Sequence, residues 1–136
     1  MNSHYNQNYS RDQIEAVLHT IHDCVTRGHF GIAQNENRKE NLDFIQNYNL
    51  NYARQKDILL KIEPEDFCHT LKNTKIGYEH EILYVFCPQM ALFNFEGEEE
   101  QVDIYIKLNI VKYDAGTRII TISFHKKNKP AYYLFK

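Results

Sequence analysis

The C-terminal half of this 136-residue chain carries a set of side chains suited to moving protons and holding anions. Tyr105 and Lys107 alternate within VDIYIKLNIVKY, His125, Lys126 and Lys127 close RIITISFHKK, and His69 lies in EDFCHTLKN. An imidazole has an ordinary pKa of about 6.5, so it can act as base or acid near neutrality. A phenol can donate a hydrogen bond to a charged oxygen, and ammonium groups attract phosphates. Residues two apart on a strand share a face, which puts Tyr105 and Lys107 side by side.

Those residues need a sheet to present them. Beyond Gly77 the chain is rich in Val, Ile, Tyr and Phe, and it breaks at Pro88, at the acidic stretch 96–100 and at the DAGT turn 114–117. The short turn predicts antiparallel pairing of the two strands it joins, and the acidic stretch predicts a hairpin tip. The last segment, PAYYLFK, is expected either to add an edge strand or to fold back over the sheet.

The first half reads as helices. Ser10 is a natural N-cap before RDQIEAVLHTIHDCVTRG, where Ile14, Val17, Leu18, Ile21 and Val25 follow helical spacing up to a stop at Gly28. A short strand is expected in HFGIAQN. A second helix is expected in NENRKENLDFIQNYNL with Leu42, Phe44 and Ile45 inward, and a third in ARQKDILLKI with Ile58, Leu59 and Ile62 inward. Pro64 followed by Glu65 and Asp66 suggests a further short helix over EDFCHTLKN. Residues 1–10 read as a mobile lead-in, and the whole, 1–136, as one α+β domain with N-terminal helices packed on a C-terminal antiparallel sheet.

Composition limits the function classes. A hydrophobic fraction of 43% with 25% charged residues describes a folded protein. With no apolar run of membrane-spanning length and no apolar leader, a cytoplasmic protein is expected, with no membrane partner. Cys24, Cys68 and Cys87 are too widely spaced to suggest a disulfide framework or a zinc knuckle. His19 and His22 lie three apart on the first helix without a third ligand nearby in sequence, so no metal site is expected. The net charge of −2 does not favour nucleic acid, but Lys126, Lys127, Lys129 and Lys136 make the C-terminal end locally basic.

The segments DILLKIEPEDFCHTL, HEILYVFCPQ, VDIYIKLNIV and IITISFHKK together resemble the MqsR family of bacterial toxins, within the RelE-like group of messenger-RNA interferases. The likeness rests on an Asp-Phe pair opening a short helix, a strand ending near Pro88, a V-x-I-Y-I-K strand and a terminal I-S-F strand, and it covers about the last 80 residues. It implies a compact α+β fold that cuts single-stranded mRNA without metal or cofactor and is silenced by a cognate antitoxin protein. The family's helix lysine, strand glutamine, strand tyrosine and final lysine fall at His69, Tyr84, Tyr105 and His125, of which only Tyr105 keeps the family's residue type.

The residues themselves allow that chemistry. RNA supplies its own nucleophile, the 2′-hydroxyl, so cleavage needs a base, donors to the charged phosphorane and an acid for the departing 5′-oxygen. His69 and His125 suit the base and acid roles, Tyr105 suits hydrogen bonding to the phosphate, and Tyr84 suits base stacking. Lys107, Lys126 and Lys127 suit flanking phosphates. Two other readings stay open: a non-catalytic RNA- or protein-binding module of the same fold, and an interaction domain unrelated to toxins.

Overall fold

A computed structural model describes residues 5–33 and 38–136. The first four residues of the lead-in and residues 34–37, where the strand expected in HFGIAQN ends and the expected second helix begins, lie outside them. Among the described residues the fold is α+β, with three α-helices and a six-stranded sheet.

Helix α1 spans Arg11–Thr26. Ser10 accepts from the Gln13 backbone N–H while the Gln13 side chain accepts from the Ser10 N–H, a capping box that settles where the helix begins. It ends before Gly28, whose φ of 78° few other residues adopt readily. Ile14, Leu18, Ile21, Cys24 and Val25 form its buried stripe. Helices α2 (Arg38–Asn47) and α3 (Tyr52–Leu60) add Phe44, Ile58 and Leu59 to the same core, joined by Tyr48 just after α2. Leu42 does not join them: it is 42% exposed, and the residue buried in its place is Asn41.

The strands are β1 (Phe30–Ile32), β2 (Phe67–Lys72), β3 (Ile82–Phe86), β4 (Gln89–Phe93), β5 (Glu99–Tyr113) and β6 (Gly116–Lys126). Their order is β1-β6-β5-β3-β2, with β4 pairing the first part of β5. All neighbours are antiparallel except β1, which runs parallel to β6 and so departs from the all-antiparallel expectation. The turn at Asp114–Ala115 and the acidic hairpin tip lie where the sequence places them.

The short helix expected over EDFCHTLKN is confined to a 3-10 turn at Pro64–Asp66, after which the chain becomes β2. A run of Phe, Cys, His, Thr and Leu has little helix preference, and pairing with β3 decides its state. The C-terminal segment folds back over the sheet: Leu134 N–H donates to the Phe67 carbonyl and the Tyr133 hydroxyl to the Cys87 carbonyl. Residues 5–10 of the lead-in are likewise tied down. Asn6 exchanges two backbone hydrogen bonds with Thr70, covering the β2 edge, and the Tyr9 hydroxyl meets Thr70 Oγ1 at 2.9 Å.

Candidate functional site

One face of the sheet packs on the helices through Phe67, Phe86, Ile104, Ile106, Leu108, Ile119 and Phe124. The other face holds a pocket of about 210 Å³ lined by His69, Tyr105, Lys107, Ser123, His125 and Lys127, with Tyr5, Cys68 and Cys87 among its further walls. Residues paired across neighbouring strands share a face, so the register explains this gathering. His69 opposes Val85, Val85 opposes Lys107 and Lys107 opposes Ser123, which forms one row across β2, β3, β5 and β6. Tyr105 and His125 oppose each other two residues further along.

Both histidines reach that face because a strand slips by one residue. Counting by twos from buried Phe67 would put His69 among the helices, but between Phe67 and His69 the β2 register shifts and Cys68 is the extra residue. Counting by twos from buried Ile119 would likewise bury His125 in the core, but Ile122 is an extra residue on β6, between the Leu108–Thr121 and Lys107–Ser123 pairs. Each bulge has a side-chain amide on it. Gln7 Nε2 donates to the Cys68 carbonyl at 2.8 Å. Asn41, only 1% exposed, donates to the Ile122 carbonyl at 3.2 Å and accepts from the Phe124 N–H at 2.9 Å. Backbone groups that a bulge removes from the ladder thereby keep partners.

The two imidazoles differ in surroundings. His69 is buried, its Nε2 has no hydrogen-bond partner among the described residues, and Tyr5 stacks on its ring at 3.9 Å and 8°. Burial, reinforced by the Lys107 charge, pushes its pKa down to about 4, so the ring is neutral at pH 7. His125 Nδ1 lies 2.8 Å from the Lys126 carbonyl, which can only accept, so Nδ1 carries a proton and Nε2 is the nitrogen left for a ligand. Glu40 lies 3.8 Å from the same Nδ1, an ion-pair partner whenever the ring takes a second proton. Tyr105 stacks on His125 at 5.4 Å, and burial pushes its phenol up to about 12, keeping it a donor.

Two predicted residues lie elsewhere. Tyr84 opposes Thr70 and Leu108 and packs on the helical core, so it has no access to the pocket. Lys126 opposes Ile104 on that same side, where it meets Glu100 at 3.8 Å and the Tyr48 ring at 5.4 Å. His69 lines the pocket with His125, but from a strand rather than the expected helix. Lys127 is in place, with Asp103 at 3.5 Å. Tyr5, Glu40 and Ser123 were not singled out from the sequence; of these only Ser123 carries a signal, being two residues before His125.

A larger cleft of about 1010 Å³, between α1, the 3-10 turn and the start of β4, contains none of the predicted residues. No group of His, Cys, Asp and Glu among the described residues is arranged to hold a metal ion, and no helix among them is long and apolar enough to cross a membrane. Comparison of the chain with protein families, with curated proteins and with solved structures finds no match.

Proposed function

We propose that the chain is a toxin of the RelE-like, MqsR-resembling kind, a cytoplasmic endoribonuclease that cuts single-stranded mRNA and is held in check by a cognate antitoxin protein. The observation that carries this reading is the single pocket holding His69, Tyr105, His125, Lys107 and Lys127 on one sheet face. His69, held neutral, takes the 2′-hydroxyl proton. In its doubly protonated form, which Glu40 faces, His125 delivers the Nε2 proton to the departing 5′-oxygen, its Nδ1–H anchored on the Lys126 carbonyl. Tyr105 and Lys107 hold the phosphate between them, Lys127 holds a neighbouring one, and the products are a 2′,3′-cyclic phosphate and a 5′-hydroxyl.

The span is demanding. Three strand spacings separate His69 from β6, and His125 lies two residues further along that strand than the residue in the His69 row, which makes about 16 Å along a flat sheet. A base and an acid acting on adjacent oxygens stand roughly 9 Å apart, so both rings must lean inward over Lys107. A second reading, a module that binds RNA without cutting it, is favoured by the Tyr5 ring, which already occupies one face of His69.

The test is incubation of the purified protein with a long single-stranded mRNA in EDTA, with mapping of new 5′ ends, beside the double variant His69→Ala, His125→Ala. Discrete cuts with cyclic-phosphate ends that vanish in the variant support the nuclease. Intact RNA that still binds, with affinity lowered by Lys127→Ala but unaffected by Lys126→Ala, supports the binding module.

A further inference from the structure

Two thiols line the pocket without a part in the chemistry above. Cys68 is the bulged residue of β2, and Cys87 is the residue that follows β3, its N–H bonded to the Asp66 carbonyl at 2.9 Å. In an unbroken strand Cys68 would point away from His69. The bulge instead gathers Cys68, Val85 and Cys87 into one small cluster, with Tyr105, Ala131 and Tyr133 packed around it. The two thiols are neighbours in that cluster, and the Cys68 thiol donates to the Asp66 carbonyl at 3.7 Å.

We propose that Cys68 and Cys87 form a redox-active dithiol, a modification site that closes to a disulfide when a small peroxide enters the pocket. The opposite pKa shifts favour Cys68 as the attacking sulfur: its Cys87 neighbour holds its pKa down against burial and the Asp66 charge, whereas Cys87 is pushed up by Cys68 and by burial. Both side chains are almost wholly buried, so bulky reagents are kept out, but both line the pocket, and a peroxide is scarcely larger than a water molecule.

The chemistry balances. The Cys68 thiolate attacks one peroxide oxygen, the O–O bond breaks, and hydroxide leaves; Cys68 becomes a sulfenic acid. The Cys87 sulfur then attacks the Cys68 sulfur, the S–O bond breaks, and the hydroxyl leaves as water with the Cys87 proton. Two thiols are oxidised, one peroxide is reduced, and two waters form. Because Cys68 precedes His69 directly, closure acts on the strand segment that aims the imidazole. The dithiol stands on the pocket geometry alone and does not require that the pocket cut RNA.

The native, reduced, full-length protein is treated with hydrogen peroxide, quenched, unfolded and alkylated. The expected result is loss of the mass of two hydrogens, one alkylatable thiol left of the three in the chain, and a peptide pair joined through Cys68 and Cys87. Cys87→Ser should stop at the intermediate, giving one added oxygen on Cys68 that dimedone captures. Three alkylatable thiols after peroxide, or a bond involving Cys24, would overturn the proposal. If Cys87→Ser does not fold, the peptide map of the unaltered chain decides alone.

Discussion

His69 and His125 reach the pocket by the same device in opposite settings. Each sits beyond a one-residue bulge, each has a tyrosine on its ring, and each bulge has a carboxamide bonded to it. For His125 that carboxamide is Asn41, buried in the core between α2 and β6. For His69 it is Gln7, on a chain segment laid along the open edge of β2. One histidine is therefore fixed from inside the fold and the other from its rim. The difference suggests that the His125 end is built into the fold, whereas the His69 end is adjustable.

The largest effect expected is on cleavage. His125→Ala and His69→Ala should each lower the rate by about 10²–10⁴-fold, the usual contribution of a positioned acid or base. Single-turnover cleavage of a mapped RNA site measures it. Equal losses, with the double variant little worse than either single one, mark two groups acting in one step. A large loss for His125 alone reduces His69 to a binding group.

Next in size is the stability effect of Asn41→Leu. The substitution keeps the side chain's bulk but removes the amide that the Ile122 carbonyl accepts from and leaves the Phe124 N–H buried without its acceptor. A cost of roughly 2 kcal/mol is expected from the orphaned N–H and the lost amide bond, seen as a lowered denaturant midpoint. An unchanged midpoint would show that the β6 bulge is held by the ladder and not by Asn41.

The acid limb of stability sharpens the contrast further. With its pKa lowered from 6.5 to about 4, His69 stays neutral in the folded protein while the unfolded chain takes up a proton. Stability from this group is complete above pH 6.5 and falls as pH drops toward 4, by about 3 kcal/mol over the window. His69→Gln should flatten that part of the pH profile in urea melts. A variant as acid-sensitive as the parent would assign the loss to other groups.

These bulges are also where the sequence stops being readable. The Ser10 capping box, the apolar stripe of α1 and the turn before β6 announce themselves because cap chemistry and period are local. A bulge leaves no such mark. FCHTL and ITISFH alternate equally well in either register, and only pairing with β3 and β5 decides which side chains face the pocket. Tyr105 and Lys107 were legible as neighbours because β5 is regular between them, whereas Tyr84 and Lys126 were given a face that local pattern cannot fix. Leu42 and Asn41 exchanged places for a related reason: the buried carboxamide completes β6, a requirement written in another element.

The smallest effect on stability, and the most telling for the adjustable histidine, is expected from Gln7→Ala. Gln7 Nε2 donates to the carbonyls of Cys68 and Tyr132 at 2.8 and 3.1 Å, but the second of these bonds is exposed, and water can replace the amide at both. The loss should stay within about 1 kcal/mol, the net worth of an ordinary hydrogen bond. Its consequence for His69 is larger than its energy. Gln7 is two residues from Tyr5, so loosening it loosens the ring stacked on the imidazole and admits water to Nε2. The His69 pKa should then rise from about 4 toward 6.5, followed by the ring-proton shift in an NMR titration, while Asn41→Leu should leave it in place. A His69 titration that stays near 4 in Gln7→Ala would show that the Asn6–Thr70 backbone pair alone keeps the rim closed, and the two ends of the pocket would then be equally rigid.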